Sequence, residues 1–93
     1  MRRWLINKLF SDNAWEDFYS WLVDKQIVKR INNLLKDIER NGYDGTGKPE
    51  PLKYELTGYW SRRITDKDRL VYRIDEESTT IIIIGCKGHY DDM

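Results

Sequence analysis

The chain is poor in the residues that staple, kink or anchor a protein. It has one cysteine, Cys86, one histidine, His89, and two prolines, Pro49 and Pro51. A lone cysteine forms no internal disulfide, so stability must come from packing, and a reducing, cytoplasmic compartment is expected. Cys86 and His89 have ligand-like spacing, but with no second His/Cys pair they do not make a zinc site, and no metal or other cofactor is expected. Cys86 reads instead as a small apolar residue on the inner side of a strand. Long hydrophobic runs are absent as well. Trp4-Leu5-Ile6 meets Asn7 and Lys8 too soon for a membrane span or a secretory signal. Net charge is also missing, since 16 Lys and Arg balance 16 Asp and Glu.

That neutrality hides a segregation. Residues 48–74 carry seven Lys and Arg against four Asp and Glu, whereas residues 75–93 carry one against five. Local potential governs what a cleft attracts, so a neutral chain can still offer phosphate a basic face. A length of 93 residues suits a single domain, 1–93, with one modest core.

Trp4 to Phe10 reads as a first strand. Ser11 then caps a helix that carries Asp12, Glu16 and Asp17 in its early turns and an apolar face of Trp15, Phe18, Tyr19 and Leu22. Asp24 caps a second helix with a cleaner stripe of Ile27, Ile31, Leu34, Leu35 and Ile38, closed by Asn41-Gly42. Residues 42–55, with Gly45, Gly47, Pro49 and Pro51, read as a loop within one fold. Gly58 to Ile64, Arg69 to Ile74 and Thr79 to Cys86 read as strands joined by short polar turns, an antiparallel meander. The unbroken Ile81 to Ile84 predicts a central strand covered on both faces. The order β-α-α-β-β-β predicts an α+β fold: a small antiparallel β-sheet with two N-terminal helices packed on one face. The other face is then left for function.

Gly42 to Pro49 mimics a phosphate-binding loop but puts Pro49 where a magnesium-holding hydroxyl belongs, and it leaves a helix rather than a strand. Nothing resembles the turn that presents a nucleophilic serine. The constellation that survives is Glu50, Arg63, Arg69, His89 and Tyr90. RNA can be cut by its own 2′-hydroxyl if a base takes that proton, an acid protonates the leaving 5′-oxygen, and positive charge meets the phosphorane-like transition state. Glu50, braced by Pro49 and Pro51, suits the base. His89, which titrates near neutral pH, suits the acid. Strand alternation places Ile64, Leu70, Tyr72 and Ile74 toward the helices and Arg63, Arg69 and Arg73 on the open face, with Arg62 awkward, at an edge. A second reading of these arginines, ion pairs to Asp66, Asp68 and Glu76, stays open on pattern alone.

The motifs Lys48-Pro49-Glu50-Pro51-Leu52-Lys53, Leu56-Thr57-Gly58-Tyr59-Trp60-Ser61-Arg62-Arg63-Ile64, Arg69-Leu70-Val71-Tyr72 and His89-Tyr90 together resemble the YoeB toxins. These belong to the RelE/ParE-type group of bacterial toxin–antitoxin systems. The resemblance runs from about Phe10 to Tyr90. It implies a RelE-like fold and a ribosome-dependent, metal-independent mRNA endonuclease that cuts the codon in the ribosomal A site and so inhibits translation. By position Glu50 matches the general base, His89 the general acid, Arg69 the phosphate-stabilising arginine and Tyr90 the terminal active-site tyrosine, with Lys53 and Arg63 as supporting cations. It also implies a YefM-type antitoxin as partner and a tendency to form homodimers.

Three departures stand out. Asp91-Asp92-Met93 follows the His-Tyr pair and is expected to favour protonated His89 and repel phosphate. Lys87-Gly88 replaces a bulkier approach to the histidine and is expected to loosen it. The stretch before Phe10 is longer than the family leads one to expect. The alternatives are a non-nucleolytic ParE-like toxin and a plain RNA-binding module, which holds RNA without cutting it.

Overall fold

The computed structural model describes residues 7–88. Ser11 enters the first helix extended, and its hydroxyl accepts the Ala14 N–H at 3.1 Å, satisfying one of the donors a helix start leaves open. Helix α1 (Asp12–Ser20) follows strand β1 (Asn7–Phe10) directly. Asp24 caps α2 (Lys25–Asn41) in the same way, through Ile27 N–H at 3.2 Å, and Gly42, at φ +65, ends it by donating to the Ile38 carbonyl. The remaining strands are β2 (Glu50–Pro51), β3 (Trp60–Arg63), β4 (Arg69–Asp75) and β5 (Thr80–Gly85), with a 3-10 turn at Tyr54–Leu56.

The five described strands lie in the order β1-β5-β4-β3-β2. The three long C-terminal strands form the predicted antiparallel meander, but β1 pairs with β5 in parallel, so the sheet is mixed. The crossover that a parallel pair requires is the whole of the intervening chain. Leu70, Tyr72, Ile81 and Ile83 from one sheet face meet Ile31, Leu34, Leu35 and Ile38 of α2 and Ala14 of α1 in the core. Tyr43 closes it beside Trp60, stacked at 4.8 Å, while its hydroxyl accepts the Ile74 N–H at 2.8 Å.

Several expectations change here. β5 is interior to the sheet, but Ile82 and Ile84 are only half-buried, so its second face is not fully covered. Ile84 is also the extra residue of a β-bulge, since Val71 faces Gly85 while Tyr72 faces Ile83. Its freed carbonyl accepts hydrogen bonds from Ser11 Oγ and Asn13 Nδ2, which fastens the start of α1 to the sheet. The face of α1 meant for the core is largely exposed: Trp15 is 54% and Tyr19 67% accessible. Trp15, Phe18, Phe10 and Leu22 line, with Val28 and Ile31 of α2, an apolar groove of about 540 Å³ rimmed by Lys25 and Lys29.

Arg62 is the largest correction. It is wholly buried on the helix side of the sheet rather than placed at an edge. The Asp37 carboxylate, the Tyr72 hydroxyl and the carbonyls of Gly42, Asp44 and Thr46 receive its guanidinium N–H groups. A buried cation survives only with such partners.

Candidate active site

Residues in register across neighbouring strands share a face. Trp60, Arg62, Leu70 and Tyr72 occupy the helix side, so Glu50, Ser61, Arg63, Arg69 and Val71 occupy the other. Glu50 stands opposite Ser61, and Ser61 opposite Val71, while Arg63 stands directly opposite Arg69. Arg63 therefore lies two residues, about 7 Å, along the strand from Glu50's partner.

Glu50 is exposed on a two-residue edge strand. Its position is set from both sides: Leu52 N–H donates to the Tyr59 carbonyl at 2.9 Å, and Arg63 N–H to the Gly47 carbonyl at 2.7 Å. Pro49 and Pro51 restrict the backbone between these ties. The floor beside it, Ser61 and Val71, is buried.

Two like charges directly opposite on a sheet repel, and this sheet accepts that cost at Arg63 and Arg69. Arg69 is 4% exposed, and its Nη1 is gripped by the carbonyls of Thr65, Asp66 and Asp68 at 2.9, 3.3 and 3.2 Å. The turn thus holds the cation in place before any ligand arrives. Arg63 has its carbonyl taken by Arg30, but its buried Nε–H meets no acceptor among the described residues. Buried polar groups are normally paired, and an orphan donor beside a fixed cation suits an anion.

The open question over the arginines is thereby answered piecemeal. Arg62 pairs with Asp37, not with Asp66, Asp68 or Glu76. Arg73 lies over the Tyr59 ring at 6.0 Å, at the other end of the same face. Lys53 is exposed and caps the 3-10 turn that follows β2. His89 and Tyr90 lie outside the described residues. The structure brings Glu50, Arg63 and Arg69 to one face of the sheet, and Lys53 follows Glu50 by three residues.

The approach to His89 is described as far as Gly88. Cys86 N–H donates to Asp17 at 3.0 Å, and Trp21 Nε1 donates to the Cys86 carbonyl at 2.8 Å. Gly88 N–H donates to Asp68 Oδ1 at 2.8 Å, and the Gly88 carbonyl accepts Arg69 N–H at 2.9 Å. Asp68 was passed over in the sequence, where it reads only as a turn residue or an arginine's ion partner. Its contact spans 20 residues and leaves no local signature. Burial pushes the Cys86 thiol up to about 12, and the negative charges of Asp17 and Asp68 add to this. That thiol is protonated and inert at neutral pH, in keeping with its reading as an apolar residue.

Residues 10–90 match the YoeB-like toxins of bacterial type II toxin–antitoxin systems. The chain belongs to this family. Toxin YoeB of Escherichia coli K12 is 48% identical over 83 residues, covering 88% of this chain and 96% of its own. The YoeB dimer from Staphylococcus aureus superposes with a TM-score of 0.84 at 51% identity, over 92% of this chain and 99% of its own. The YoeB–YefM complex from the same species gives a TM-score of 0.83 at 50% identity, over 91% of this chain and 98% of its own. The mixed sheet with two helices is thus a YoeB fold, and the α+β reading stands. No helix among the described residues of this YoeB-like chain is long and apolar enough to cross a membrane.

Proposed function

We propose that this YoeB-family toxin is a ribosome-dependent, metal-independent endoribonuclease that cuts mRNA in the A site. The observation that carries this reading is the Arg63–Arg69 pair, placed cross-strand beside Glu50 with a donor left unpaired among the described residues. Glu50 takes the proton of a ribose 2′-hydroxyl, and that oxygen attacks the adjacent phosphorus. The bond from phosphorus to the 5′-oxygen breaks, and His89 supplies the proton that oxygen needs. The products are a 2′,3′-cyclic phosphate and a 5′-hydroxyl. Arg69 and Arg63 face the charge that grows on the phosphoryl oxygens, and Tyr90 completes the site. Lys53 contacts the RNA backbone.

A YefM-type antitoxin is the partner that the Staphylococcus aureus complex suggests, and the dimer from that species suggests a homodimer here. The exposed apolar groove between α1 and α2, with Lys25 and Lys29 on its rim, suits a segment carrying apolar and acidic residues. Action on the ribosome places the protein in the cytoplasm.

The test is cleavage of a short mRNA on purified ribosomes with a defined codon in the A site. The wild type cuts within that codon, and Glu50→Ala, Arg69→Ala and His89→Ala each lower the rate by roughly 10²–10⁴-fold while remaining folded. Three folded variants cutting at the wild-type rate would refute the mechanism. Intact mRNA with inhibited DNA gyrase favours the ParE-like alternative, and intact RNA held in a tight complex favours a binding module.

A further inference from the structure

The three residues before His89 are fastened more tightly than their composition leads one to expect. Cys86 is held at both its amide and its carbonyl by α1 and the turn after it, through Asp17 and Trp21. Lys87 reaches Ser20 Oγ at 3.2 Å and lies over the Trp21 ring at 5.0 Å. Gly88 takes φ +86, a conformation natural to glycine, in open space where a Cβ would touch nothing within 4 Å. Its small size is therefore not needed for clearance; its backbone freedom is. Nothing about a side chain holds it, so its position depends on its amide and its carbonyl.

Both of those groups are bound by consecutive residues of the hairpin turn that opens β4. Asp68 Oδ1 accepts Gly88 N–H, and Arg69 N–H donates to the Gly88 carbonyl. The second oxygen of Asp68 accepts the Thr65 hydroxyl at 2.8 Å, and Thr65 Oγ1 in turn accepts the Asp68 and Lys67 N–H groups. One carboxylate is thus braced inside the turn by one oxygen and reaches across to Gly88 with the other. A carboxylate accepting an amide N–H is among the stronger hydrogen bonds, and this one fixes a glycine that has the widest range of alternatives.

We propose that Asp68 is a positioning residue for the general acid: it holds Gly88, the residue that precedes His89 in the chain, against the same turn that grips the Arg69 guanidinium. This rests on the functional reading above. It also offsets the loosening expected where Lys87-Gly88 replaces a bulkier approach.

The test separates loss of the acid's placement from general damage. Ribosomes are programmed with an mRNA carrying, at the scissile linkage, either the natural 5′-oxygen or a bridging 5′-sulfur. Sulfur leaves as a thiolate and needs no proton from the acid. Asp68→Ala is expected to cut the natural mRNA at least about tenfold more slowly than wild type and the 5′-thio mRNA at nearly the wild-type rate. Asp68→Asn, which keeps an oxygen for Gly88 N–H, restores most of the natural rate. Equal slowing on both substrates, or no slowing on either, overturns the proposal. A wild-type protein that leaves both mRNAs intact contradicts the functional reading itself, and the inference falls with it.

Discussion

Arg62 and Arg63 are adjacent in sequence and have opposite surroundings. Arg62 points into the core, where Asp37, Tyr72 and three loop carbonyls absorb its charge; Arg63 points to the other face with a buried donor that meets no acceptor among the described residues. Removing Arg62 strands those acceptors, so Arg62→Met is expected to cost about 3–5 kcal/mol in urea denaturation. Burial pushes the Asp37 carboxyl up, but hydrogen bonds from Arg62, Thr46 N–H and Asn41, with the charge of Arg62, outweigh it and hold it below its ordinary 3.8. A lowered folded value means that Asp37 contributes its full stability above 3.8 and loses it as pH falls through the folded value. Asp37→Asn should accordingly be less stable at neutral pH and show a shallower loss on acidification. Cys86 gives the reverse sign. Its stabilising share is intact below the ordinary 9.0 and is lost as pH rises toward about 12. A thiol reagent at neutral pH should leave native Cys86 untouched and label it once the protein is unfolded. Strand alternation alone put Arg62 and Arg63 on opposite faces correctly. It could not say that the inner one would be neutralised, because Asp37 lies 25 residues away.

The loop from Gly42 to Pro49 is the element on which Glu50 depends. Arg62 clamps it through the carbonyls of Gly42, Asp44 and Thr46, and Arg63 N–H takes the Gly47 carbonyl. Gly45, at φ +115, leaves no room for a side chain: a Cβ there would stand 2.0 Å from Asp37 Oδ2. Gly45→Ala should therefore part Asp37 from Arg62, lower stability, and slow cleavage through Glu50, measurable as a reduced melting temperature and rate together. At the first helix, Ser11→Ala removes both the cap to Ala14 and the bond to the Ile84 carbonyl, and a loss of about 1–2 kcal/mol is expected by the same denaturation. Both helix caps and the three meander strands were legible because capping residues, apolar periods and polar turns are local signals. The parallel pairing of β1 was not, since its partner β5 begins 70 residues after Phe10. The bulge at Ile84 hid inside a run of identical residues, which carries no mark of register.

At the scale of the molecule, the sheet divides its two faces between the core and the candidate site. One face carries the core and the buried Arg62; the other carries Glu50, Arg63 and Arg69, with Tyr59 and Arg73 farther along. Alternation placed Arg63 and Arg69 on the open face, whereas Glu50 read only as part of a loop and its short strand opposite Ser61 left no sequence signal. The part played by Asp68 and Gly88 was not legible either, because it is a contact between a turn and the end of the chain. The central claim is that the face bearing Glu50 and the arginine pair lets RNA cut itself through its own 2′-hydroxyl. The most direct measurement compares two mRNAs on programmed ribosomes, identical except for a 2′-deoxy sugar at the nucleotide whose 3′-phosphate is cut. The account predicts that the all-ribose mRNA yields a 2′,3′-cyclic phosphate end and that the 2′-deoxy mRNA stays intact at that linkage. Cleavage of the 2′-deoxy linkage at a comparable rate would contradict it.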